Sequence, residues 1–378
     1  MLFRSMDPIE DGGRDYRKSL ANVDCFEASA RFVGDHTIDA GGVRLTADRI
    51  VVAAGCRPLI PAIPGLDSVP FHTSDTVMRI DQLPKHLIIL GGGFIACEFA
   101  HVFSSLGSKV TVVNRGRQLL RAEDHDTSAR FTELATDHFD TVLGAAVDGV
   151  RAVGDGIAID VITAAGVQVL EGDCLLVAMG RVSNADQLDV SAGGIATDSR
   201  GFVQVDQHGR TSSPGVWALG DINGRHQLKH MANGEARVVR HNLTHPDALQ
   251  VLDPRPAPHA VFSSPQIAAV GLTEEQAKAS GQPYCVAVQE YAGSAYGWAM
   301  EDTTSFCKLI GDPVTRRLLG AHVIGAQASL LVQPLVQGLH LGTSVDDLAT
   351  GQVWIHPALA EVNEVALLKL VEAFDAWQ

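Results

Sequence analysis

Gly91, Gly93 and Ala96 lie in the run Gly91-Gly92-Gly93-Phe94-Ile95-Ala96-Cys97-Glu98, the spacing with which a backbone is brought against a dinucleotide pyrophosphate. Gly91 allows a tight turn, Gly93 removes a side chain that would hold a phosphate away, and Ala96 lets the following helix sit close on a sheet. A helix beginning there adds free N–H groups and partial positive charge. Further on, Asn114-Arg115-Gly116-Arg117 and then Arg121 place guanidinium groups where an acid would otherwise bond a ribose 2′-hydroxyl. The planar arginine fork suits a 2′-phosphate, so the expected nucleotide is NADPH rather than NADH. Two plainer readings stay open: a glycine turn that only joins two elements, and a solvated basic loop. His226 and His230 are four apart and have the spacing to share a metal, but no third ligand stands near them.

These residues need a strand, a turn, a helix and a second strand to position them. Leu87-Ile88-Ile89-Leu90 leads into the glycines, Cys97 to Leu106 reads as the helix, and Val110-Thr111-Val112-Val113 as the next strand. Three further apolar runs end in glycine: Ile50 to Gly55, Leu175 to Gly180, and Val216 to Gly220. Buried parallel strands read as continuous apolar runs, and ligands in open α/β sheets sit outside their carboxyl ends. Two nucleotide-binding domains follow, one interrupting the other. Val251 to Pro258 is proline-rich and reads as a linker. Beyond it, strand-like Lys308-Leu309-Ile310 and Leu318 to Gly325 flank the turn Gly311-Asp312-Pro313. Ala328 to Leu341 and Ala358 to Ala373 have helical periodicity, which predicts a separate α+β domain.

The chain has 378 residues, 46% hydrophobic and 19% charged, which suits two or three globular α/β domains. A net charge of −15 argues against nucleic acid and anionic membranes as partners. No apolar run reaches a membrane span, and Met1 to Met6 lacks the apolar core of a signal peptide. The six cysteines, Cys25, Cys56, Cys97, Cys174, Cys285 and Cys307, show no metal or redox spacing, so reduced thiols in the cytoplasm are expected.

Six segments stand in an order that carries more information than any one of them. They are Ala53 to Pro58, Gly91 to Glu98, Ala178 to Asn184, Ala218 to Ile222, Val261 to Thr273, and His356-Pro357-Ala358-Leu359-Ala360-Glu361. On these the chain resembles the flavin-dependent pyridine-nucleotide disulfide oxidoreductases over nearly its whole length. Trp354 to Leu359 and Leu228 to Asn233 are most similar to the mycothione reductase branch. The resemblance implies an α/β fold with three-layer Rossmann-like FAD- and NAD(P)-binding domains and a C-terminal α+β dimerisation domain. Residues 1–81 would be part of the FAD-binding domain, 82–188 the NAD(P)-binding domain, 189–251 the return segment of the first, and 252–378 the dimerisation domain.

It also implies roles. Phe94 would cover the nicotinamide site, with core packing as the alternative, and Ile95 and Gly180 would line the NADPH site. Glu98 would pair with a lysine near the flavin, or else be a solvated acid complementing the helix dipole. Arg115 and Arg121 match the 2′-phosphate pair. Arg181 would lie near the nicotinamide or its ribose, unless it is a surface arginine. For FAD, the resemblance implies Gly55 at a strand end, Asp221 on the ribityl chain or as a helix cap, and the Lys229 and His230 backbone at the ring. His356 and Glu361 would be the catalytic pair: a carboxylate fixes the imidazole's tautomer, and the imidazole protonates a departing thiolate. That pair reaches into a partner's active site, implying a homodimer with shared sites and a small-molecule disulfide as substrate.

The family's opening GxGxxG strand and its CxxxxC pair are not among these residues. Gly12-Gly13 and Gly41-Gly42 do not follow apolar strands, and Cys25 and Cys56 lie too far apart. Cys56, where the motif usually has serine, reads as an inert buried thiol. Met1 to Ser5 does not read as an evolved start, so an N-terminal truncation is expected. With it are expected exposed sheet edges, weak FAD retention and no disulfide reduction by this chain alone. Two other functions stay open: a non-catalytic NADPH-binding remnant that dimerises, and a dihydrolipoamide dehydrogenase-like or diaphorase flavoprotein.

Overall fold

Leu87, Ile88, Ile89 and Leu90 are all buried, as a strand covered on both faces must be. The computed structural model, which describes residues 7–377, places them near the middle of a four-stranded parallel sheet. The expectation placed on Met1 to Ser5 lies outside the described residues. The strand order is Cys174–Val177, His86–Leu90, Lys109–Asn114, Asp140–Leu143. Helix Phe94–Ser105 connects the second strand of that order to the third and buries Ala96, Cys97, Ala100 and Phe103, a stripe of helical period. An antiparallel sheet of Ala146–Val153, Gly156–Thr163 and Gly166–Gly172 follows, with Ile157, Ile159 and Val161 in the same core as Ile88, Leu90 and Leu175.

The chain divides into two compact units. The second unit comprises residues 60–74, 82–180 and 255–377, so it joins the parallel sheet to the C-terminal region. There a five-stranded antiparallel sheet runs in the order His259–Val261, Ile267–Gly271, Arg317–Ile324, Phe306–Asp312, Cys285–Glu290. Helices Ala328–Leu341 and Glu361–Asp375 pack on it through Leu331, Leu335, Ala366 and Leu370, against Leu309, Ala321 and Val323. The first of these helices has the expected bounds. The second starts later than Ala358, because residues 356–360 form a turn that the Glu361 side chain closes by accepting the Ala358 N–H.

The first unit comprises residues 7–59, 75–81 and 181–254, three segments that the other unit interrupts. Strand Ile50–Val52 pairs in parallel with Val216–Ala218, and Cys56–Pro58 pairs antiparallel with Arg181–Ser183. A three-stranded meander, Ala30–Gly34, Thr37–Ala40 and Val43–Thr46, turns at Gly41-Gly42. Phe32, Val52, Val190, Ala218 and Ile222 form the core. Helix Asp7–Ser19 buries none of its residues; ion pairs from Arg79 to Asp7 and Glu10, and from Lys18 to Glu27, hold it.

These limits differ from the expected boundaries at 81 and 188. Residues 60–74 pack with the two sheets of the second unit: the His72 N–H donates to the Leu175 carbonyl of the parallel sheet at 2.7 Å, and the Val150 N–H of the antiparallel sheet donates to the Pro64 carbonyl at 2.9 Å. Residues 181–188 belong with the first unit through the Arg181–Ser183 strand pairing.

Candidate functional site

In the glycine turn each glycine has a different reason to be there. Gly91 has φ +124°, and a Cβ on it would lie 2.2 Å from the Ala178 carbonyl oxygen. A Cβ on Gly92 would lie 2.5 Å from the Asn114 side chain. At Gly93 a Cβ would meet nothing within 4 Å. The first two are required by the fold, whereas Gly93 leaves open space in front of a helix N-terminus, where an anion fits. Phe94, the first helical residue, is 45% exposed, so it does not pack in the core; Ile95 is half-buried. Gly180, with φ +128°, lies beyond the end of strand Cys174–Val177.

Asn114 holds the loop that carries the arginines. Its amide donates to the carbonyls of Gly116 at 3.2 Å and Gln118 at 2.9 Å, bonds that a carboxylate could not make. Arg115, Arg117 and Arg121 are exposed, and none carries an ion pair among the described residues. In an acidic chain, three guanidinium groups without a carboxylate form a receptive anion surface.

Glu98 is half-buried and accepts the Phe262 backbone N–H at 2.9 Å, where the resemblance implies a lysine. Burial raises its carboxyl above the ordinary range, and the Phe262 bond only partly offsets this. It is therefore not a solvated first-turn acid.

In the first unit, Asp221 sits on the single turn Gly220–Asn223, just past strand Val216–Ala218. Arg181, for which the alternative was a surface arginine, is half-buried beside it. Its Nη2 donates to the Cys56 carbonyl at 2.9 Å and lies 3.6 Å from Asp221 Oδ2. The register that sets Arg181 opposite Pro58 brings this about. The Arg181 Nε is buried without a hydrogen-bond partner in the chain, so a donor stands ready beside Asp221. Cys56 is half-buried rather than buried, and its Sγ lies 3.2 Å from the Asp221 carbonyl oxygen. Burial and the Asp221 charge push its thiol up, away from reactivity. Gly55, with φ +67°, has open space at its Cβ position. Lys229 and His230 open helix Lys229–Thr244 and are exposed. Burial lowers His226, and no group of three metal-ligating side chains occurs among the described residues.

Glu235 escaped the reading of the sequence. It is buried in helix Lys229–Thr244 and accepts the Gly220 N–H at 2.7 Å and the Asn223 amide at 3.0 Å, so it fixes the turn carrying Asp221. The signal available was an acid on the same helical face as Ala232 and Val239. Glu235→Ala strands two buried donors and is expected to cost about 2 kcal/mol of stability, whereas Glu235→Gln, which keeps an acceptor, costs less. Chemical denaturation of the two variants checks this.

His356 and Glu361 are brought together at 2.7 Å, from His356 Nδ1 to Glu361 Oε1. The second carboxylate oxygen accepts the Ala358 N–H at 3.0 Å. The His356 bond, then the Ala358 bond, hold Glu361 below the ordinary glutamate range. An ionised Glu361 accepts from Nδ1–H and leaves His356 Nε2 for a group outside the pair. His356 is exposed, as are its neighbours Ile355 and Val353, the latter at 96%.

Two family models match the chain: pyridine nucleotide-disulphide oxidoreductase over residues 8–236, and the dimerisation domain of the same family over residues 257–366. A mycothione reductase of Mycobacterium tuberculosis is 47% identical over 380 residues, covering 98% of this chain and 82% of the relative. A dihydrolipoyl dehydrogenase of Vibrio cholerae is 33% identical over 356 residues, covering 93% and 74%. Among solved structures, the HOCl-induced flavoprotein disulfide reductase RclA from Escherichia coli superposes with a TM-score of 0.87 at 27% identity, covering 98% of this chain and 83% of that one.

Proposed function

The chain belongs to the pyridine nucleotide-disulphide oxidoreductase family, and from that premise we propose the lineage of an NADPH- and FAD-dependent reductase of a low-molecular-weight disulfide, of the mycothione reductase kind, whose redox-active disulfide is not among these residues. The observation that carries the nucleotide half is the open cradle at Gly93 beside the unpaired Arg115 and Arg121. The helix N-terminus would receive the pyrophosphate, the two arginines the 2′-phosphate, and Phe94 would shield the reactive ring. Gly55, Asp221, the unpaired Arg181 Nε, Lys229 and His230 would hold FAD, with Glu235 steadying Asp221. Bound FAD supplies a two-electron carrier between a nicotinamide and a disulfide. His356, oriented by Glu361, would protonate a leaving thiolate.

The exposed His356 side chain and the match to a dimerisation domain support a homodimer in which this pair serves the partner's site. Exposed Val353, Ile355, Leu330 and Leu341 are suited to burial in such an interface. Six free thiols agree with a cytoplasmic protein, and no helix among the described residues is long and apolar enough to cross a membrane. No Cys-x4-Cys pair occurs in the 378 residues, so in this reading they bind nucleotide without themselves reducing a disulfide.

Two measurements test the proposal. Calorimetry should show NADPH binding at least about tenfold tighter than NADH, with the preference lost in Arg121→Ala; equal affinities would sink the arginine argument. NADPH oxidation is then followed with a low-molecular-weight disulfide and with a quinone, with and without added FAD. Flavin-dependent quinone reduction without disulfide reduction is expected. Turnover of the disulfide would show that the step does not need a Cys-x4-Cys pair.

A further inference from the structure

Arg121 does not hang on a free loop. The Leu120 N–H donates to the Gly92 carbonyl at 2.7 Å, and the Glu123 N–H donates back to the Leu120 carbonyl at 2.9 Å, so Arg121 and Ala122 form the tip of a closed turn. One end of that turn is thus tied to the glycine cradle. The other is tied to the five-stranded sheet, where both Glu123 oxygens meet His259 Nε2, at 2.9 and 3.0 Å.

The register of the sheet shows why. His259 is opposite Ala269, Ala269 opposite His322, and His322 opposite Lys308, so a basic row crosses the sheet on one face. The acids that follow Arg121 lie along it. Glu123 takes His259, while Lys308 Nζ reaches Asp124 at 2.9 Å, Asp126 at 2.7 Å and Glu274 at 2.6 Å. His322 Nε2 donates to the Leu272 carbonyl at 2.9 Å and does not take part in the ion pairs. Of these contacts, the one nearest in sequence to Arg121 is the half-buried His259–Glu123 pair.

We infer that His259 is a positioning residue: by clamping Glu123 it holds the Arg121 turn in the orientation that receives a 2′-phosphate, and so sets the preference between the two nicotinamide nucleotides. Burial disfavours the charged imidazole, but the Glu123 hydrogen bond and charge outweigh it and raise His259, so the clamp is charge-assisted. The inference rests on the NADPH reading of Arg115 and Arg121.

The test uses the full chain and compares NADPH with NADH by calorimetry. In His259→Ala, NADPH affinity is expected to fall about tenfold while NADH affinity stays within about twofold. His259→Gln, which keeps a donor for Glu123, should retain most of the preference. Should His259→Ala fail to fold, Glu123→Gln, which keeps the size but not the charge, reads the same preference. Equal affinities in the unaltered chain would remove the NADPH reading itself. A preference preserved in the Ala variant, or equal losses for both nucleotides, would overturn the positioning role alone.

Discussion

Gly91→Ala is expected to destabilise the nucleotide-binding unit, while Gly93→Ala is expected to leave stability unchanged and abolish tight NADPH binding. The two substitutions add the same methyl group two residues apart. At Gly91 it enters a backbone with φ +124° and lies 2.2 Å from the Ala178 carbonyl oxygen, so the turn and the neighbouring strand must both give way. The positive φ and the clash together should cost about 3 kcal/mol or more. At Gly93 the backbone is extended, with φ −86° and ψ −176°, and the methyl meets no protein atom within 4 Å. It occupies only the space assigned to the pyrophosphate, so the loss should appear in binding alone. Urea denaturation and nucleotide titration of both variants separate the two effects. A Gly93→Ala variant that binds NADPH normally would move the phosphate site elsewhere.

Lys308→Met should be the most damaging change in the C-terminal sheet. Lys308 is 1% exposed and Asp124 is fully buried, so removing the ammonium leaves a buried carboxylate that keeps its backbone N–H donors but loses its ion-pair partner. Breaking such a pair from one side costs about 3–5 kcal/mol. Burial opposes the charge on Asp124, but the Glu274 N–H and the Lys308 ammonium hold its carboxyl below the ordinary range. A depressed carboxyl contributes stability above its unfolded value, about 3.9, and that contribution is lost as pH falls through the native value. Without Lys308 the Asp124 carboxyl should instead rise and become easier to protonate. The deficit of the variant relative to the unaltered chain should therefore shrink as pH falls towards about 4. Thermal melts across that range would show it; a deficit independent of pH would mean that lost packing, not the stranded charge, is the cause.

What the sequence disclosed and what it hid differ in range along the chain. The glycine cradle depends on residues within one turn, so its spacing was readable, as were strand His86–Leu90 and helix Ala328–Leu341 from their apolar periods. The joining of His356 to Glu361 spans five residues and a proline turn. By contrast, His259 meets Glu123 across 136 positions and Lys308 meets Asp124 across 184. No local pattern marks a histidine or lysine in a strand as the partner of an acid so far away. The contacts of Arg181 were hidden for a related reason: it follows Gly180 directly, but its strand pairing carries it to Cys56 and Asp221. Glu235 was hidden because a buried acid in a helix looks like an ordinary polar residue until its acceptors are needed.

Helix Asp7–Ser19 has a consequence of its own. It contributes nothing to the apolar core and is attached through charges at the surface. Exposed ion pairs are worth little individually and weaken as dissolved ions shorten the range of their attraction, from about 10 Å at 0.1 M salt to about 3 Å at 1 M. The order of this helix is thus set by ionic strength, whereas the parallel sheet, held by buried leucine and isoleucine, is indifferent to it. A buffer change alone should make this segment the first to open to a protease, and the same molecule would look well ordered or frayed at this end according to the salt in which it was prepared.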